Sequence, residues 1–595
     1  MAKYKHNLIV VAIIAIATIL AISSVWNENI IVDEVPHIGA GYSYLVKQDM
    51  RLNPEHPPLA KDIAAIPLLF LNLDQRVFDT DIWQTKVNDQ WYFGRMLIFQ
   101  SGNDADLIAH AVKIPMLLFF VLSAVLVFKW ANKLYGNRFA LIALILFSFS
   151  PTIMAHSRFV TTDIPAMFGI LLATYFFIKY LGDQTRKNLI IAGLTFGVAL
   201  LLKFSTFLLV PYFLALAVIY GLSRTNKKLL NTFHLLLTTV LIFIVGFILV
   251  VWPVYYFHTV GYPAERQYSD TEHILSSYGN RKFADPVVWM SDKPVIRALG
   301  QYGLGLLMVV QRSVGGNNVY FLGEVSKNAW KEYFPIVYFV KEPLAWWALA
   351  IMAVAYIAWQ VKRPTKKLLE ATGEFIRTYF AELAMLLWVA VFWYSSVTSN
   401  LNIGVRHLSP TFPFVILLVS GQLGRLWHKF KESSPKKLKA YSLLLTALLG
   451  WYIFENLRIY PYYLTYFNQT VGGPSEGHKV VTDSNLDWGQ DLRRFSEWVK
   501  ENNIEKIEFD YFGWADPAYY LGNRYIWSNS TKFMDAKDFI QRNESNGWLA
   551  VSANFYQGSQ GPKEEGFKTP NYLWLHEYRP VAIIGNSIFI FRITQ

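Results

Sequence analysis

Long apolar stretches separated by short polar segments dominate the first three quarters of the chain. A helix of roughly 20 apolar residues crosses the hydrocarbon core of a bilayer, and about eleven stretches reach or approach that length. They lie near residues 8–26, 107–130, 139–155, 164–181, 189–204, 205–222, 229–253, 333–359, 376–397, 407–425 and 438–457. The pattern therefore predicts a polytopic α-helical membrane protein with about eleven transmembrane helices.

The pattern changes after residue 457. DLRRFSEWVKENN has helical spacing, with Leu492, Phe495 and Trp498 or Val499 on one face. Strands are predicted in the β-rich runs KIEFDYF, GWLAVSA, RPVAIIG and NSIFIFRIT, and Gly585-Asn586 suggests a hairpin between the last two. We predict a transmembrane domain over 1–457, with outer loops at about 27–106 and 254–332, and a soluble α/β domain over 458–595.

Basic segments between the spans predict the orientation. Lys and Arg are concentrated in MAKYKHN, KWANKLYGNR, GDQTRKN, SRTNKK, QVKRPTKK and HKFKESSPKKLK. All of them fall on one side of the membrane if the apolar run 189–222, interrupted at Lys203, is two spans. Because basic loops face the cytoplasm, we expect a multi-pass cell-membrane protein with a cytoplasmic N-terminus and an extracytoplasmic C-terminal domain.

The composition supports this picture and limits the chemistry. The chain has 595 residues, of which 53% are hydrophobic and 16% charged, whereas soluble domains carry about 25% charged residues. The basic loops account for the net charge of +12, so we predict a lipid bilayer as a partner and no nucleic acid. Because the chain contains no cysteine, thiolate nucleophiles, thiolate metal sites and disulfides are excluded.

The first outer loop holds the first candidate site. Asp33 and Glu34 are adjacent acids directly after the first span, and His37 follows one turn later. Glu55 and His56 precede two prolines, which fix φ and hold the residues before them extended. An acid pair at a membrane exit is often only a solvated helix end, but the further acid and two histidines in the same loop favour a functional group.

Cations at other outer corners extend this site. Arg158 and Asp163 lie in the turn between two predicted spans, and Arg406 and His407 lie in another. Lys203 interrupts an apolar run and could reach the outer interface. Ionisable residues at membrane depth are costly and are usually functional. If Arg158 and Lys203 reach the same cavity, they form a cationic pocket suited to a lipid phosphate.

DSNLDWGQDL, residues 483–492, is the densest polar motif of the tail. Its candidate residues are Asp483, Asn485, Asp487 and Gln490, which could bind an acceptor or dock onto the transmembrane domain. Asp487 precedes the predicted helix, and aspartate is a favoured N-cap residue. We therefore favour a turn and a helix cap over a direct chemical role for this segment.

Taken together, these motifs resemble the glycosyltransferase C (GT-C) superfamily, and within it the protein O-mannosyltransferase-like and aminoarabinose-transferase-like group. Asp33-Glu34 looks like the group's signature acid pair, and Glu55-His56-Pro57-Pro58 is similar to its Glu-x-Pro-Pro motif. RFVTTD, residues 158–163, looks like its second-loop Arg…Asp motif. NIGVRHLSPTFPF and residues 460–492 are similar to segments of a prokaryotic branch, so the resemblance covers most of the chain.

The resemblance implies an inverting glycosyltransferase with a polyprenyl-phosphate-linked sugar donor and transfer on the extracytoplasmic face. Asp33 would be the general base, assisted by Glu34 and supported by Asp163. The donor phosphate would be contacted by Arg158, Lys203 and Arg406. Four further residues are predicted to bind substrate or organise loops: His37, Glu55, His56 and His407. The aminoarabinose transferases carry a lysine where this chain has His56, so a phosphate contact at that position is not expected.

Several alternatives stay open at this point. The acceptor could be a protein Ser/Thr hydroxyl, a lipid or a glycan. No metal or other cofactor is certain, but Glu55, His56 and His258 could hold a divalent metal. From other functional classes, a polytopic transporter or lipid flippase, or a membrane scaffold without activity, would also be rich in apolar helices. Transporters tend to show repeated halves, and no repeat is visible here.

Overall fold

The structure, a computed structural model, describes residues 2–224, 228–361, 376–559 and 572–594. Parts of SRTNKK and QVKRPTKK, two of the basic segments, lie outside the described residues. Each of the eleven predicted spans coincides with helix. These helices are Ala2–Ser24, Ala105–Tyr135, Asn137–Ser148 with Pro151–Ser157, Asp163–Gly182, Arg186–Leu200, Leu209–Arg224, Lys228–Gly246 continuing to Phe257, Tyr333–Lys341 with Leu344–Val361, Phe380–Thr398, Phe412–Ser433 and Pro435–Ile459.

The helices confirm a polytopic membrane protein. Within the described ranges, six are long and apolar enough to cross a bilayer, or up to eight if each of two bent pairs counts as one span. The three other predicted spans coincide with Arg186–Leu200, Phe412–Ser433 and Pro435–Ile459, so the total of eleven stays a prediction. The run 189–222 does break before Lys203, between Arg186–Leu200 and a 3₁₀ turn at Phe204–Leu208.

Shorter helices fill the two predicted outer loops. The first loop contains Glu34–Lys47, Leu59–Ala65, Asp81–Gln84 and Gln90–Arg95. The second contains Ala264–Leu275, Arg281–Met290 and Arg297–Gly315, followed by a small hairpin of β1 (Val319–Phe321) and β2 (Glu324–Ser326).

The C-terminal region forms a mixed five-stranded sheet with helices, which confirms the α/β prediction. Its strands are β3 (Ile507–Asp510), β4 (Tyr525–Trp527), β5 (Trp548–Ser552), β6 (Ala582–Ile584) and β7 (Ile588–Arg592). They lie in the order β4-β3-β5-β7-β6, with β3 parallel to β4 and β5. β7 is antiparallel to both neighbours, so β6 and β7 form the hairpin predicted at Gly585-Asn586. The helices are Leu492–Glu501, Pro517–Leu521, Ala536–Arg542 and Ala553–Gly558.

The predicted helix face in this region is also confirmed. Leu492, Phe495 and Val499 are buried in the Leu492–Glu501 helix, while Trp498 is only partly buried. Apolar residues of the sheet and of the membrane helices belong to one continuous buried cluster. The C-terminal region therefore packs directly against the membrane helices.

Candidate functional site

Asp33 lies at the entrance to the Glu34–Lys47 helix, directly after the turn that leaves the first membrane helix. It occupies the N-cap position, yet its carboxylate caps no backbone amide. The side chain is 29% exposed and accepts a hydrogen bond from Nη1 of Arg406 at 2.8 Å. Asp33 is thus an accessible carboxylate whose position is fixed by a helix start and one guanidinium.

Arg406 is the centre of the site. It lies in the 3₁₀ turn Val405–Thr411, and its Nη1 also donates to Oδ2 of Asp163 at 3.2 Å. Its Nε donates to Oγ of Ser484 at 3.1 Å, and its guanidinium lies 4.1 Å from the ring centre of Trp488. Planar guanidinium groups both bridge carboxylates and stack on aromatic rings, so this arrangement fixes the orientation of the charge.

Gly404 permits the close contact between Arg406 and Ser484. Its φ is +143°, and a Cβ there would lie 2.2 Å from the Ser484 hydroxyl oxygen. Any other residue at this position would be strained and would displace Ser484.

Asp163 and Lys203 form the second ion pair of the site. Asp163 starts the Asp163–Gly182 helix, and its Oδ1 accepts from Nζ of Lys203 at 2.5 Å. Lys203 reaches this position because the preceding helix ends at Leu200. Asp163 is buried, whereas Lys203 is 16% exposed. Four charges of alternating sign, on Asp33, Arg406, Asp163 and Lys203, therefore form one chain that opens to solvent at both ends.

The predicted histidines lie around this chain of charges. His37 is buried, contacts the Val160 carbonyl oxygen through Nδ1 at 2.7 Å, and packs edge-on against His56. Burial lowers the pKa of His37 to about 4, although the nearby Asp33 charge opposes this. Burial likewise lowers the pKa of His56 well below its usual value, and the charge of Lys203 adds to the effect. Both imidazoles are therefore neutral near pH 7.

The Glu55-His56 loop is organised by a residue that sequence reasoning missed. Nζ of Lys61 donates to four oxygens at 2.8–3.0 Å: the Tyr44 hydroxyl, the carbonyl and side-chain oxygens of Asn53, and the His56 carbonyl. Burial lowers the pKa of Lys61 to about 7. The sequence signal for this role was only a lysine shortly after the Pro-Pro pair, with no indication of its partners.

Glu34, which was predicted to assist catalysis, forms contacts outside the chain of charges. Glu34 is fully buried, accepts from the Ile31 and Val160 amides at 2.9 Å each, and lies 3.4 Å from Nζ of Lys113. It therefore ties two loops together, and these contacts do not support the predicted assisting role in catalysis.

The contacts of Arg158 also differ from its predicted role in binding the donor phosphate. It is fully buried, pairs with Glu28 at 2.9 Å and donates to Oγ of Ser24 at 2.9 Å. Because the side chain of Arg158 is 0% exposed, these contacts do not support phosphate binding. Lys203 pairs instead with Asp163, so the two cations have different partners.

Two of the three residues suggested as metal ligands are bound to other side chains. His258 pairs with Asp62 at 3.1 Å, and Glu55 accepts from the side chain of Gln90 at 2.6 Å. Among the described residues, no group of three or more metal-ligating side chains is arranged to hold an ion. Glu55, His56 and His258 do not fit a metal in this arrangement.

The 483–491 segment docks onto the membrane domain, one of the two roles considered for it. Asp487 does not cap the helix, because the helix begins at Leu492 and the cap position is Asp491. Asp487 instead accepts from the amides of Gly489 and Asn554. Asn485 and Gln490 are buried and bound to neighbouring backbone. The N-cap prediction is therefore wrong, because a compact turn separates the motif from the helix.

Arg312 is a second residue that the sequence did not single out. It lies in the last turn of the Arg297–Gly315 helix and is exposed. Gly305, seven residues earlier on the same helical face, packs against the Pro54 carbonyl and the Phe204 ring. The charge of Arg312 contributes to the lowered pKa of His56. Arg312 therefore adds positive charge within electrostatic range of His56.

The comparisons with known proteins find a matching family model and several solved structures that align with this chain. Residues 106–252 match the family model described as dolichyl-phosphate-mannose-protein mannosyltransferase. No curated protein matches the sequence. A solved S. cerevisiae protein O-mannosyltransferase Pmt1-Pmt2 complex bound to the sugar donor aligns with TM-score 0.53 at 12% identity, over 77% of this chain and 90% of that chain.

Two other solved structures align over nearly the whole chain at lower scores. ArnT from Cupriavidus metallidurans bound to undecaprenyl phosphate gives TM-score 0.45 at 12% identity, over 98% of this chain and 97% of that chain. The Archaeoglobus fulgidus oligosaccharyltransferase tethered with an acceptor peptide gives 0.46 at 12% identity, over 97% and 72%.

Proposed function

We propose that this chain, a multi-pass membrane glycosyltransferase of the GT-C superfamily, transfers a sugar from a polyprenyl-phosphate donor with inversion at the anomeric carbon. The family match over residues 106–252 and the shared fold support the superfamily resemblance drawn from the motifs, and with it the proposal that the protein is an enzyme. Neither finding favours a transporter, a flippase or an inactive scaffold.

The observation that supports this reaction most strongly is the series of ion pairs that joins Asp33 to Arg406, Arg406 to Asp163, and Asp163 to Lys203. Lys203 and Arg406 supply fixed positive charge for a donor phosphate, and the exposed Arg312 adds to it. Phosphate oxygens prefer such multidentate, charge-assisted donors. Asp163 is positioned to hold both cations rather than to react, because its two carboxylate oxygens are each committed to one of them.

Asp33 is the group suited to act as general base. It is the accessible carboxylate of the chain of charges, and its contact with Arg406 places it next to the cation that would bind the phosphate. The acceptor oxygen or nitrogen attacks the anomeric carbon from the face opposite the phosphate and gives its proton to Asp33. The bond from the anomeric carbon to the phosphate oxygen breaks, and Arg406 and Lys203 stabilise the charge left on polyprenyl phosphate.

We propose a protein Ser/Thr hydroxyl as the acceptor and the extracytoplasmic face as the side of transfer. The description of the matching family model names a protein acceptor, and the yeast structure with the same fold is a protein O-mannosyltransferase. The alternative is the same chemistry on a lipid or glycan, which the same site geometry would also serve.

The test is release of free polyprenyl phosphate by the purified protein in lipid nanodiscs. The reaction would contain a panel of polyprenyl-phosphate sugars, with a Ser/Thr-rich peptide or a glycolipid as acceptor. We expect release from at least one donor, and a loss of at least a hundredfold in Asp33→Asn, because a positioned general base contributes about 10²–10⁴-fold. Asn keeps the shape and the contact with Arg406, so donor binding is expected to persist.

The matched control is Asp285→Asn, which removes a 62%-exposed carboxylate in the second outer loop, outside the site. It is expected to behave as the wild type. Near-normal turnover by Asp33→Asn would refute the base assignment, and no release from any donor by folded wild type would refute the proposed reaction.

A further inference from the structure

The 483–491 segment of the C-terminal domain contacts the backbone next to both central site residues. The amide of Val32, directly before Asp33, donates to the Trp488 carbonyl oxygen at 3.0 Å. The amide of Val405, directly before Arg406, donates to Oδ1 of Asn485 at 2.9 Å. The segment is therefore a wall of the site, and two of its side chains, Ser484 and Trp488, contact Arg406.

Most side chains of this wall are committed to internal contacts. Ser484 and Trp488 hold the Arg406 guanidinium, and Asn485 binds Val405 and the Tyr333 hydroxyl. Asp483 differs from them. Among the described residues it forms no ion pair, and its carboxylate accepts only the amide of its neighbour Ser484, at 2.5 Å.

The setting of Asp483 leaves its carboxylate available to a ligand. Its φ is +56°, in the left-handed region that aspartate adopts more readily than most other residues. Burial raises the pKa of this carboxyl to about 6, and the like charge of Asp33 adds to the rise while Arg406 opposes it. A partly exposed carboxylate is thus held near Asp33 without a cation of its own.

We propose that Asp483 binds the acceptor, by accepting a hydrogen bond from a second donor group that lies beside the hydroxyl or amine that Asp33 deprotonates. This inference rests on the proposed function. An ionised carboxylate can only accept hydrogen bonds and repels the donor phosphate, so its partner must be an uncharged or cationic donor group. Two sources offer such a group: the acceptor, and a hydroxyl of the donor sugar.

The role assigned to Asp483 adds no covalent step. The acceptor proton still moves to Asp33, and the bond between the anomeric carbon and the phosphate oxygen still breaks. Asp483 orients the acceptor group that carries the attacking atom. Because Asp483 belongs to the C-terminal domain, transfer requires this domain to be docked on the membrane helices.

The experiment measures the acceptor KM at saturating donor, and donor binding separately, for the wild type, Asp483→Asn and Asp483→Gly. The acceptor probe is whichever of the Ser/Thr-rich peptide or the glycolipid supports release by the wild type. Both substitutions tolerate positive φ, so the fold should persist, and thermal unfolding checks this. We expect the acceptor KM to rise by about ten- to a hundredfold in both variants, with donor binding unchanged.

A pH profile separates binding from a structural role. In the wild type the acceptor KM should fall as the pH rises through about 6, since the ionised carboxylate of Asp483 is a stronger hydrogen-bond acceptor than the protonated acid. In Asp483→Asn this dependence should disappear.

Three results would overturn the inference. Weakened donor binding with an unchanged acceptor KM would assign Asp483 to the donor sugar. Loss of thermal stability, with kcat and both affinities changed together, would make it structural. Absence of release by the wild type would refute the proposed function itself, and the inference with it.

Discussion

At the scale of single residues, Arg406 has the most demanding role. One nitrogen bridges two carboxylates, a second binds Ser484, and the face of the group lies on Trp488. A lysine carries the same charge but has neither the planar fork nor the stacking face. The site therefore depends on the shape of this cation as well as on its charge.

Arg406→Lys should therefore reduce transfer while the protein still folds. The lysine can reach only part of the set formed by Asp33, Asp163 and Ser484, so the alignment of the base with the donor phosphate is lost. We expect kcat/KM to fall about ten- to a hundredfold, which corresponds to about 1.4–2.7 kcal/mol of transition-state stabilisation. Steady-state release of polyprenyl phosphate measures this, and an activity within twofold of the wild type would contradict it.

At the scale of elements, the position of Asp33 depends on how the Glu34–Lys47 helix is packed. Two glycines on this helix allow close contact with its neighbours. A Cβ on Gly39 would lie 2.9 Å from the Gly94 Cα, and one on Gly41 would lie 2.4 Å from the Lys61 carbonyl oxygen. Gly94 in turn lies against the carbonyl of Val35. The backbone contact at Val35 is only two residues from Asp33.

Gly94→Ala should disturb both stability and activity. The added Cβ would lie 2.1 Å from the Val35 carbonyl oxygen, so the helix must move, at a cost of about 1–3 kcal/mol. Because small misplacements of reacting groups can cost about 10²-fold in rate, transfer should fall more than stability alone explains. Thermal unfolding and release assays measure the two effects.

Gly450→Ala is the matched control for this substitution. Gly450 lies in the Pro435–Ile459 helix, and a Cβ there would meet nothing within 4 Å. It should be neutral or slightly stabilising. Equal behaviour of the two variants would show that packing at Gly94 does not position Asp33.

The elements were more predictable from sequence than the contacts between them. Hydropathy located the membrane helices because burial in lipid requires long apolar runs. Runs rich in β-forming residues located four of the five C-terminal strands. The strand β4 has only three residues and left no clear pattern. Asp33, Asp163, Lys203 and Arg406 were identified as ionisable residues at outer corners.

The sequence did not predict which charged residues form ion pairs with one another. Arg158 was assigned to the donor phosphate as a cation at an outer corner and as part of the RFVTTD motif, but its partner is Glu28, just after the first span. Which cation meets which carboxylate depends on helix packing between segments far apart in the chain, and local spacing carries no information about that.

At the scale of the whole molecule, the site and the basic segments KWANKLYGNR and GDQTRKN lie at opposite ends of the membrane helices that connect them. The helix Ala105–Tyr135 begins against the C-terminal domain, where Tyr520 donates to Asp106 at 3.0 Å. Its 31 residues extend about 45 Å, which exceeds the roughly 30 Å thickness of a bilayer core, and its last turn carries Lys133. The helix Asp163–Gly182 likewise starts at the site and ends near the basic segment GDQTRKN.

This arrangement makes the orientation of the whole molecule testable, because the absence of cysteine lets single cysteines report on each side. Asn137→Cys and Gln184→Cys lie at exposed positions on the basic end, and Asn523→Cys lies at an exposed position of the C-terminal domain. In intact cells, a membrane-impermeant maleimide should label only the cysteine at 523. Permeabilised cells should show labelling at all three positions, and the unaltered chain should show none. Labelling at 137 and 184 but not at 523 would place the site on the cytoplasmic side, where transfer would have to use a donor facing inward.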